Sequence, residues 1–207
     1  PPRIDPGTIA ATLAANGKVY DGTTPATGIL SLGGVIAGDD VGVAGSLAFT
    51  DKNAGTGKTV TASGITLNGA DAGNYTVNLT ATGLADILAR TITATLSASG
   101  KTYDGTTAAT GALSLSGVLA GDTVSASGSY AFGDKNVGTG KTVTATGIAL
   151  SGADASNYVV NASTTAFADI LARAITAALT ANGKVFDGTT AATGSLALGG
   201  VLARDAV

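Results

Sequence analysis

Apolar and polar residues alternate with a period of two along most of the chain. Ile9, Ala11 and Leu13 share one parity, and the same alternation returns at Ile92 and Ile175. A period of two places alternate side chains on one face of a strand, so each stretch predicts a strand with one buried face. Further alternating stretches occupy residues 26–32, 41–49, 60–67, 75–81 and 84–88.

The parity of the apolar positions changes once inside a predicted strand. Val60 and Ala62 share one parity, whereas Ile65 and Leu67 share the other. Gly64 lies at the change, and Gly147 occupies the same place further along. A glycine at a change of parity indicates a β-bulge.

The chain repeats itself at a fixed interval. The segment Gly-Lys-x-Tyr-Asp-Gly-Thr-Thr begins at Gly17 and at Gly100, and it returns at Gly183 with Phe186 in place of Tyr. The lysines at 18, 101 and 184 give a period of 83 residues (101 − 18 and 184 − 101). Fixed-period similarity indicates a tandem array. We therefore predict a linker at residues 1–6, repeat modules at 7–89 and 90–172, and a partial third module at 173–207.

Composition agrees with a β array and narrows the function classes. The chain contains neither Glu nor Gln, and it lacks Cys, His, Met and Trp, whereas Thr and Val, which favour strands, are abundant. The net charge is −3, and the Lys and Arg residues are scattered, so no basic stripe for nucleic acid is predicted. No apolar run is long enough to span a bilayer. Without an initiating Met or a signal peptide, the chain is expected to be part of a longer protein.

The residues that stand out in the repeats are predicted to be architectural. The aromatic of the glycine–lysine segment is expected to anchor a turn to the core, and its Asp-Gly pair to shape that turn. An asparagine before a second tyrosine is expected to cap a turn, and an arginine to fix each junction. These structural positions are Tyr20, Asp21, Gly22, Asn74, Tyr75, Arg90, Tyr103, Asp104, Gly105, Asn157, Tyr158, Arg173 and Phe186.

Two chemical alternatives remain open for the polar residues. Asp51 with Asn53, and Asp134 with Asn136, supply oxygen atoms of the kind that bind Ca²⁺, although Asp and Asn are also the usual residues of β-turns. A covalent crosslink from Lys18 or Lys58 to Asn74 is the second hypothesis. No other cofactor is predicted.

The residue types in the sequence give little support for a catalytic function. There is no His base and no Cys nucleophile, and every distinctive residue occurs in more than one copy. We therefore predict that the chain is not an enzyme.

Three segments together resemble a known repeat family. They are Lys-x-Tyr-Asp-Gly-Thr-Thr, Asp-Lys-Asn-x-Gly-Thr-Gly-Lys-Thr-Val and Gly-Ala-Asp-Ala-x-Asn-Tyr, in fixed order in both complete copies. They resemble the YDG-type repeats, related to the MBG-type modules, of bacterial filamentous-haemagglutinin-like surface adhesins and exoproteins. The resemblance implies a secreted or cell-surface location in a bacterium and carries over no catalytic residue.

The fold predicted on these grounds is mainly β, with small β-sandwich modules of immunoglobulin-like or β-grasp-like layout arranged in a rod. The predicted function is a stalk or fibre that projects an adhesive region from the cell, with neighbouring modules as partners. One rival is a self-assembling filament, in which open strand edges of the third copy pair with other copies of the chain. The other rival is a repeat that binds glycans or mucins on host or cell surfaces by avidity.

Overall fold

The structure, a computed structural model, describes residues 5–203 and 205. Four residues of the predicted linker (1–4), and residues 204, 206 and 207 of the predicted third module, lie outside the described residues. The strands of the first repeat are β1 (Gly7–Asn16), β2 (Lys18–Val19), β3 (Thr27–Gly33), β4 (Gly42–Phe49), β5 (Gly55–Asn68), β6 (Tyr75–Val77) and β7 (Thr80–Leu88), with a 3-10 turn at Ala72–Asn74 before β6.

The first repeat is a sandwich of two sheets. One sheet has the order β3-β1-β6, and the other has the order β2-β7-β5-β4. Strand β1 runs antiparallel to β3 and parallel to β6, while β5 runs antiparallel to both of its neighbours. Alternation within each strand turns one set of side chains inward. The predicted strands are therefore confirmed as two packed layers.

Small apolar side chains fill the space between the two sheets. Ala11 from β1 packs with Ala62 and Ile65 from β5, and partly buried residues from the other strands complete the cluster. Alanine at central positions lets the sheets approach closely, because a packed interior leaves few voids. The alternating apolar residues of the sequence are the ones that form this core.

The change of parity at Gly64 is a β-bulge, as the sequence predicted. Along β4, Ala44 pairs with Thr66 and Ser46 pairs with Ser63, so β5 contains one extra residue at this point. Gly64 has a φ of 60°, a conformation that glycine adopts without a Cβ clash. The bulge returns both halves of β5 to the buried face.

The second repeat is built in the same way. Its strands are β8 (Arg90–Ser99), β9 (Lys101–Thr102), β10 (Thr110–Ser116), β11 (Ser125–Phe132), β12 (Gly138–Ser151), β13 (Tyr158–Val160) and β14 (Ser163–Leu171), with a 3-10 turn at Ala155–Asn157. They form sheets of order β10-β8-β13 and β11-β12-β14-β9. Strand β8 begins two residues after β7 ends, so the junction between the repeats is short.

The described part of the third copy forms a two-stranded sheet. Strand β15 (Thr176–Ala181) pairs antiparallel with β16 (Gly194–Gly199). Large apolar side chains on both strands, such as Leu179 and Leu196, are exposed. The equivalent residues of the first repeat, Leu13 and Leu30, are partly buried against a second sheet.

The chain divides into two compact units that do not follow the repeat boundaries. Among the described residues, the first unit contains residues 5–93, 116–125 and 150–160. The second contains residues 94–115, 126–149, 161–203 and 205. Residues 90–93, 116–125 and 150–160 of the second repeat thus belong to the same compact unit as the first repeat. The module boundaries at 89–90 and 172–173 stay predictions.

The fold class is a tandem of small, mainly β modules. Within residues 5–203 and 205, the helical elements are the two three-residue 3-10 turns. A β-grasp layout requires a helix packed across a sheet, so the modules fit the β-sandwich layout instead. In this same part of the chain, no helix has the length and apolar character needed to cross a bilayer.

Candidate functional site

The glycine–lysine segment forms a turn around a lysine ammonium group. Lys18 Nζ donates to Asp21 Oδ1 at 2.8 Å, to the Thr23 carbonyl at 2.8 Å and to the Pro25 carbonyl at 3.1 Å. The same ammonium lies 5.6 Å from the centroid of the Phe49 ring. With only 18% of its side chain exposed, Lys18 binds together the backbone from residue 21 to residue 25.

Asp21 supplies the carboxylate of this turn. Its Oδ1 also accepts hydrogen bonds from the backbone N–H and the hydroxyl of Thr23. Partial desolvation acts to raise the pKa of Asp21, but the hydrogen bonds from Lys18 and Thr23 outweigh it and hold the pKa at about 2. The carboxylate is therefore charged at neutral pH.

The turn recurs in the other copies with nearly the same distances. Lys101 Nζ donates to Asp104 Oδ1 at 2.8 Å, and Lys184 Nζ donates to Asp187 Oδ1 at 2.7 Å. The hydrogen bond from Lys101 is the largest cause that lowers the pKa of Asp104 to about 2. Lys184 is more exposed than the other two lysines, at 36%.

Sequence reasoning missed the role of this lysine and considered it only as a crosslinking group. The available signal was that Lys, Asp at the third following position and Thr at the fifth recur together in all three copies. This spacing lets one ammonium group bond to carbonyl and carboxylate oxygens of the same turn.

Tyr20 projects from this turn and meets the second repeat. Its ring is fully buried and packs edge-on against Tyr158, with the ring centroids 5.5 Å apart. Its hydroxyl donates to Asp122 Oδ2 at 2.9 Å. All three residues belong to the first compact unit. The burial of the Tyr20 ring therefore depends on the next repeat as well as on its own.

Asp122 is the centre of this contact. Besides Tyr20, it accepts a hydrogen bond from the Tyr158 hydroxyl at 2.6 Å, and it lies 3.5 Å from Lys52 Nζ. Only 6% of its side chain is exposed. The hydrogen bond from Tyr158 is the largest cause that lowers the pKa of Asp122, with a further contribution from Tyr20. The carboxylate is held charged because donors from two repeats converge on it.

The pKa values of the two tyrosines are raised, whereas that of Asp122 is lowered. Burial raises the pKa of Tyr20, and the hydrogen bond to Asp122 adds to that effect. Burial and the same carboxylate also raise the pKa of Tyr158. Both phenols therefore remain donors throughout the neutral range.

A second pair of contacts lies beside the first. The Ala54 N–H donates to Asn157 Oδ1 at 2.8 Å, and Lys52 Nζ lies 3.8 Å from Asp154. Asn157 is 1% exposed. We call Tyr20, Lys52 and Ala54 the plug, and we call Leu119, Asp122, Asn157 and Tyr158 the socket. Together they form the joint.

Part of the joint recurs 83 residues later, inside the second compact unit. The Tyr103 hydroxyl donates to Asp205 Oδ1 at 2.8 Å, and Lys135 Nζ lies 3.9 Å from the same carboxylate. Tyr103, Lys135 and Asp205 are the counterparts of Tyr20, Lys52 and Asp122. The joint is therefore a repeated feature of the array.

Sequence reasoning also missed the carboxylate of the joint. Asp39 recurs as Asp122 and Asp205, whereas the counterpart of its neighbour Asp40 is Thr123. Recurrence at the 83-residue period therefore distinguishes the Asp39 position, which forms the joint at Asp122, from the neighbouring Asp40 position.

The other predicted structural residues lie at several places in the repeats. Arg90 Nε donates to the Gly117 carbonyl and Arg173 Nε to the Gly200 carbonyl, so each arginine binds a loop of the repeat that it begins. Gly22 and Gly105 have φ values of 77° and 76° in their turns. Asn74 closes the 3-10 turn before Tyr75.

Phe186 does not act as a core anchor in the described structure. Its side chain is 93% exposed. Within the described residues, the third copy contributes strands β15 and β16, and no residue of that part of the chain covers the ring. The expectation that Phe186 anchors a turn to the core stays a prediction.

The calcium candidates take part in turns of their own. Asp51 Oδ1 accepts from the Asn53 N–H at 2.8 Å and from Lys58 Nζ at 2.6 Å, and Asp134 has the same partners in Asn136 and Lys141. In the part of the chain that the structure describes, no three acidic, His or Cys side chains gather as a metal site would require. The crosslink hypothesis placed Lys18 and Lys58 against Asn74, but their ammonium groups bind Asp21 and Asp51 instead.

Comparison with protein families gives a match in tandem. The model of the YDG domain matches residues 3–83 and again residues 89–166. Comparison with curated proteins and with solved structures returned no match.

Proposed function

Because this chain belongs to the YDG domain family, we propose that its repeats form a structural stalk or fibre in a secreted or cell-surface bacterial protein of the adhesin kind. In this role the repeats hold another, adhesive region of the parent protein at a distance from the cell. The chain contributes length and stiffness, and it performs no chemical reaction.

The observation that carries the proposal is the joint around Asp122. A flexible string of domains needs only a linker, whereas a stalk needs contacts that fix each repeat to the next. Here two tyrosine hydroxyls and one ammonium group converge on one buried carboxylate, and they come from both sides of a repeat boundary. One tyrosine hydroxyl, the ammonium and the carboxylate recur at Tyr103, Lys135 and Asp205.

The chemistry of the joint suits a permanent contact. Hydrogen bonds to a charged acceptor are stronger than those between neutral groups, and here burial protects them from competing water. The buried edge-on contact of Tyr20 and Tyr158 adds apolar area and a defined orientation. A joint of this kind resists bending because any rotation separates several donors from one acceptor at once.

A reach assay tests the proposal. The chain is placed between a surface anchor and a small tip tag on a bacterial cell, and the distance of the tag from the membrane is measured by energy transfer to a membrane dye. We expect the chain to hold the tag farther from the membrane, and with a narrower spread, than a variant carrying both Tyr20→Ala and Asp122→Ala. The matched control carries Ser31→Ala and Ser114→Ala, which are exposed strand positions outside the joint. Equal reach for the joint variant and the control would contradict a stalk function.

A further inference from the structure

The first and the last strand of the first repeat run in the same direction. Strand β1 continues after one residue into β2, which pairs parallel with the end of β7, where Lys18 faces Ile87. Strand β1 also pairs parallel with β6, where Gly7 faces Tyr75. Because β1 begins the repeat and β7 ends it, the chain enters at one end of the strands and leaves at the other.

This direction decides how the repeat responds to tension between its two ends. Tension pulls β1 and β7 in opposite directions along their axes, so the strands must slide past each other before the repeat unfolds. Sliding strains all the hydrogen bonds between two strands together, whereas opening a pair of strands breaks these bonds one after another. The rate of forced unfolding depends on the height of the unfolding barrier, and sliding gives the higher barrier.

The side chain of Asn78 joins the first strand to the last one. Its Oδ1 accepts from the Ala11 N–H at 2.7 Å, and its Nδ2 donates to the Ala11 carbonyl at 3.1 Å. The same Nδ2 donates to the carbonyl of Thr80, the first residue of β7, at 2.6 Å. Ala11 is buried in the core, so its backbone groups need these partners. One amide thus bridges β1 and β7, the strands that tension would slide apart.

The second repeat contains the same bridge, inside the second compact unit. The Ala94 N–H donates to Asn161 Oδ1 at 2.8 Å, and Asn161 Nδ2 donates to the Ala94 carbonyl at 3.2 Å and to the Ser163 carbonyl at 2.8 Å. Asn161 lies 83 positions after Asn78, and the asparagine recurs although Thr80 is replaced by Ser163. We call the side chains of Asn78 and Asn161 the amide latches.

We propose that each complete repeat has a mechanical function, which is to resist tension along the chain, and that its amide latch opposes the sliding of the first strand past the last. This inference rests on the proposed function, because a stalk is pulled whenever the adhesive region that it holds is bound. It goes beyond that function, since holding a region at a distance requires length and stiffness but no resistance to unfolding under tension.

Stretching of single molecules in optical tweezers tests the inference on the full chain, with handles fused to its two ends. We expect one unfolding event for each complete repeat. Each event should lengthen the molecule by about 250 Å, because 83 residues extended at about 3.4 Å each replace a folded strand of about 33 Å. In Asn78→Ala, the force of one event should fall to about half or less, while the other event provides an internal reference. Asn161→Ala should instead weaken the event of the second repeat.

A second pulling direction separates resistance to tension from general stability. Ser46 and Ser63 face each other on β4 and β5, and the chain contains no Cys, so handles on Ser46→Cys and Ser63→Cys pull these two strands open. In this direction we expect the first repeat to unfold at a lower force, and Asn78→Ala to leave that force unchanged.

The matched control for the latch is Asp51→Ala. It also removes a side chain that makes hydrogen bonds, to the Asn53 N–H and to Lys58, but these lie in the turn between β4 and β5 and outside the first and last strands. This variant should keep the full unfolding force between the two ends of the chain.

Two results would overturn the inference. One is an unchanged force between the two ends in both Asn78→Ala and Asn161→Ala. The other is an equal fractional loss of force in the two pulling directions for Asn78→Ala, which would make Asn78 a general stabiliser of the fold. The reach assay measures distance without tension and depends on Tyr20 and Asp122, so failure of this inference is distinguishable from failure of the proposed function.

Discussion

One aromatic position occurs three times in this chain, and its burial differs in every copy. Tyr20 is fully buried, Tyr103 is half-buried and Phe186 is 93% exposed. The difference follows the residues that cover each ring. Tyr20 meets Asp122 and Tyr158, Tyr103 meets Asp205, and neither kind of partner is described for Phe186.

The turn that presents the aromatic ring is nearly the same in all three copies. Its lysine–aspartate distances are 2.8, 2.8 and 2.7 Å. The segment therefore has two parts with separate origins. The polar turn forms from residues close in sequence, whereas burial of the aromatic ring needs a neighbouring sheet and a following repeat.

Truncation of the aromatic side chain should give the largest loss of folding stability. This loss should decrease from Tyr20 to Tyr103 to Phe186, in the order of their burial. We expect Tyr20→Ala to lower the free energy of unfolding by about 3–5 kcal/mol, because it empties a fully buried site. Tyr103→Ala should cost less, and Phe186→Ala should stay within about 0.5 kcal/mol, as at an exposed position. Urea unfolding measures all three variants. Equal losses for Tyr20→Ala and Phe186→Ala would show that burial by the next repeat does not stabilise the chain.

Removal of the joint carboxylate should come next. Asp122→Ala leaves the buried Tyr20 hydroxyl without its acceptor, and we expect a loss of about 1–3 kcal/mol. Asp122→Asn keeps an acceptor oxygen and should lose less. The matched control is Asp39→Ala, at the corresponding position of the first repeat, and its effect should be smaller because the described hydrogen bond to Asp39 comes from Tyr75, whereas Asp122 accepts from both Tyr20 and Tyr158. A larger loss for Asp39→Ala than for Asp122→Ala would contradict the assignment of Asp122 as the joint residue.

Strain in the turn should be similar in the two complete repeats. Gly22 and Gly105 have positive φ values, and alanine there costs about 1–2 kcal/mol. A Cβ atom at either position would lie 3.4 Å from a leucine methyl group, which is ordinary contact. Gly22→Ala and Gly105→Ala should therefore give similar losses in denaturant unfolding. A much greater loss at Gly22 would mean that the turn itself, and not only the aromatic ring, is shaped by the joint.

The pH dependence of stability should be the smallest of these effects, and part of it should come from the lysine–aspartate turns. Asp21 and Asp104 have folded pKa values of about 2, below the ordinary 3.8, so their contribution is present above pH 3.8 and is lost as the pH falls toward 2. We expect urea stability to decline over that window. Asp21→Asn combined with Asp104→Asn should flatten the decline, while Ser31→Ala with Ser114→Ala should leave it unchanged. A decline of unchanged steepness in the aspartate variant would assign it to other carboxylates.

The sequence predicted the features that depend on local pattern. Alternation located the strands, the 83-residue period located the repeats, and the change of parity located the bulge at Gly64. Each of these follows from residues close in the chain or from simple recurrence.

The joint could not be predicted in the same way. Tyr20 and Asp122 lie 102 positions apart, and no periodicity of one repeat shows which surface meets the next. The sequence predicts that Tyr20 anchors a turn to the core, but it carries no direct sign that Tyr158 covers its ring. Recurrence of Asp39, Asp122 and Asp205 marked the position without identifying its partners.

The most direct test of the account is the spread of distances across the joint. The chain contains no Cys, so Ser31→Cys and Ala153→Cys introduce two spin labels at exposed positions of the first compact unit, one on each repeat. We predict a single narrow distance distribution by pulsed electron resonance, and a broad one after Asp122→Ala is added. A broad distribution in the chain with its joint intact would contradict the claim that Asp122 holds the two repeats together.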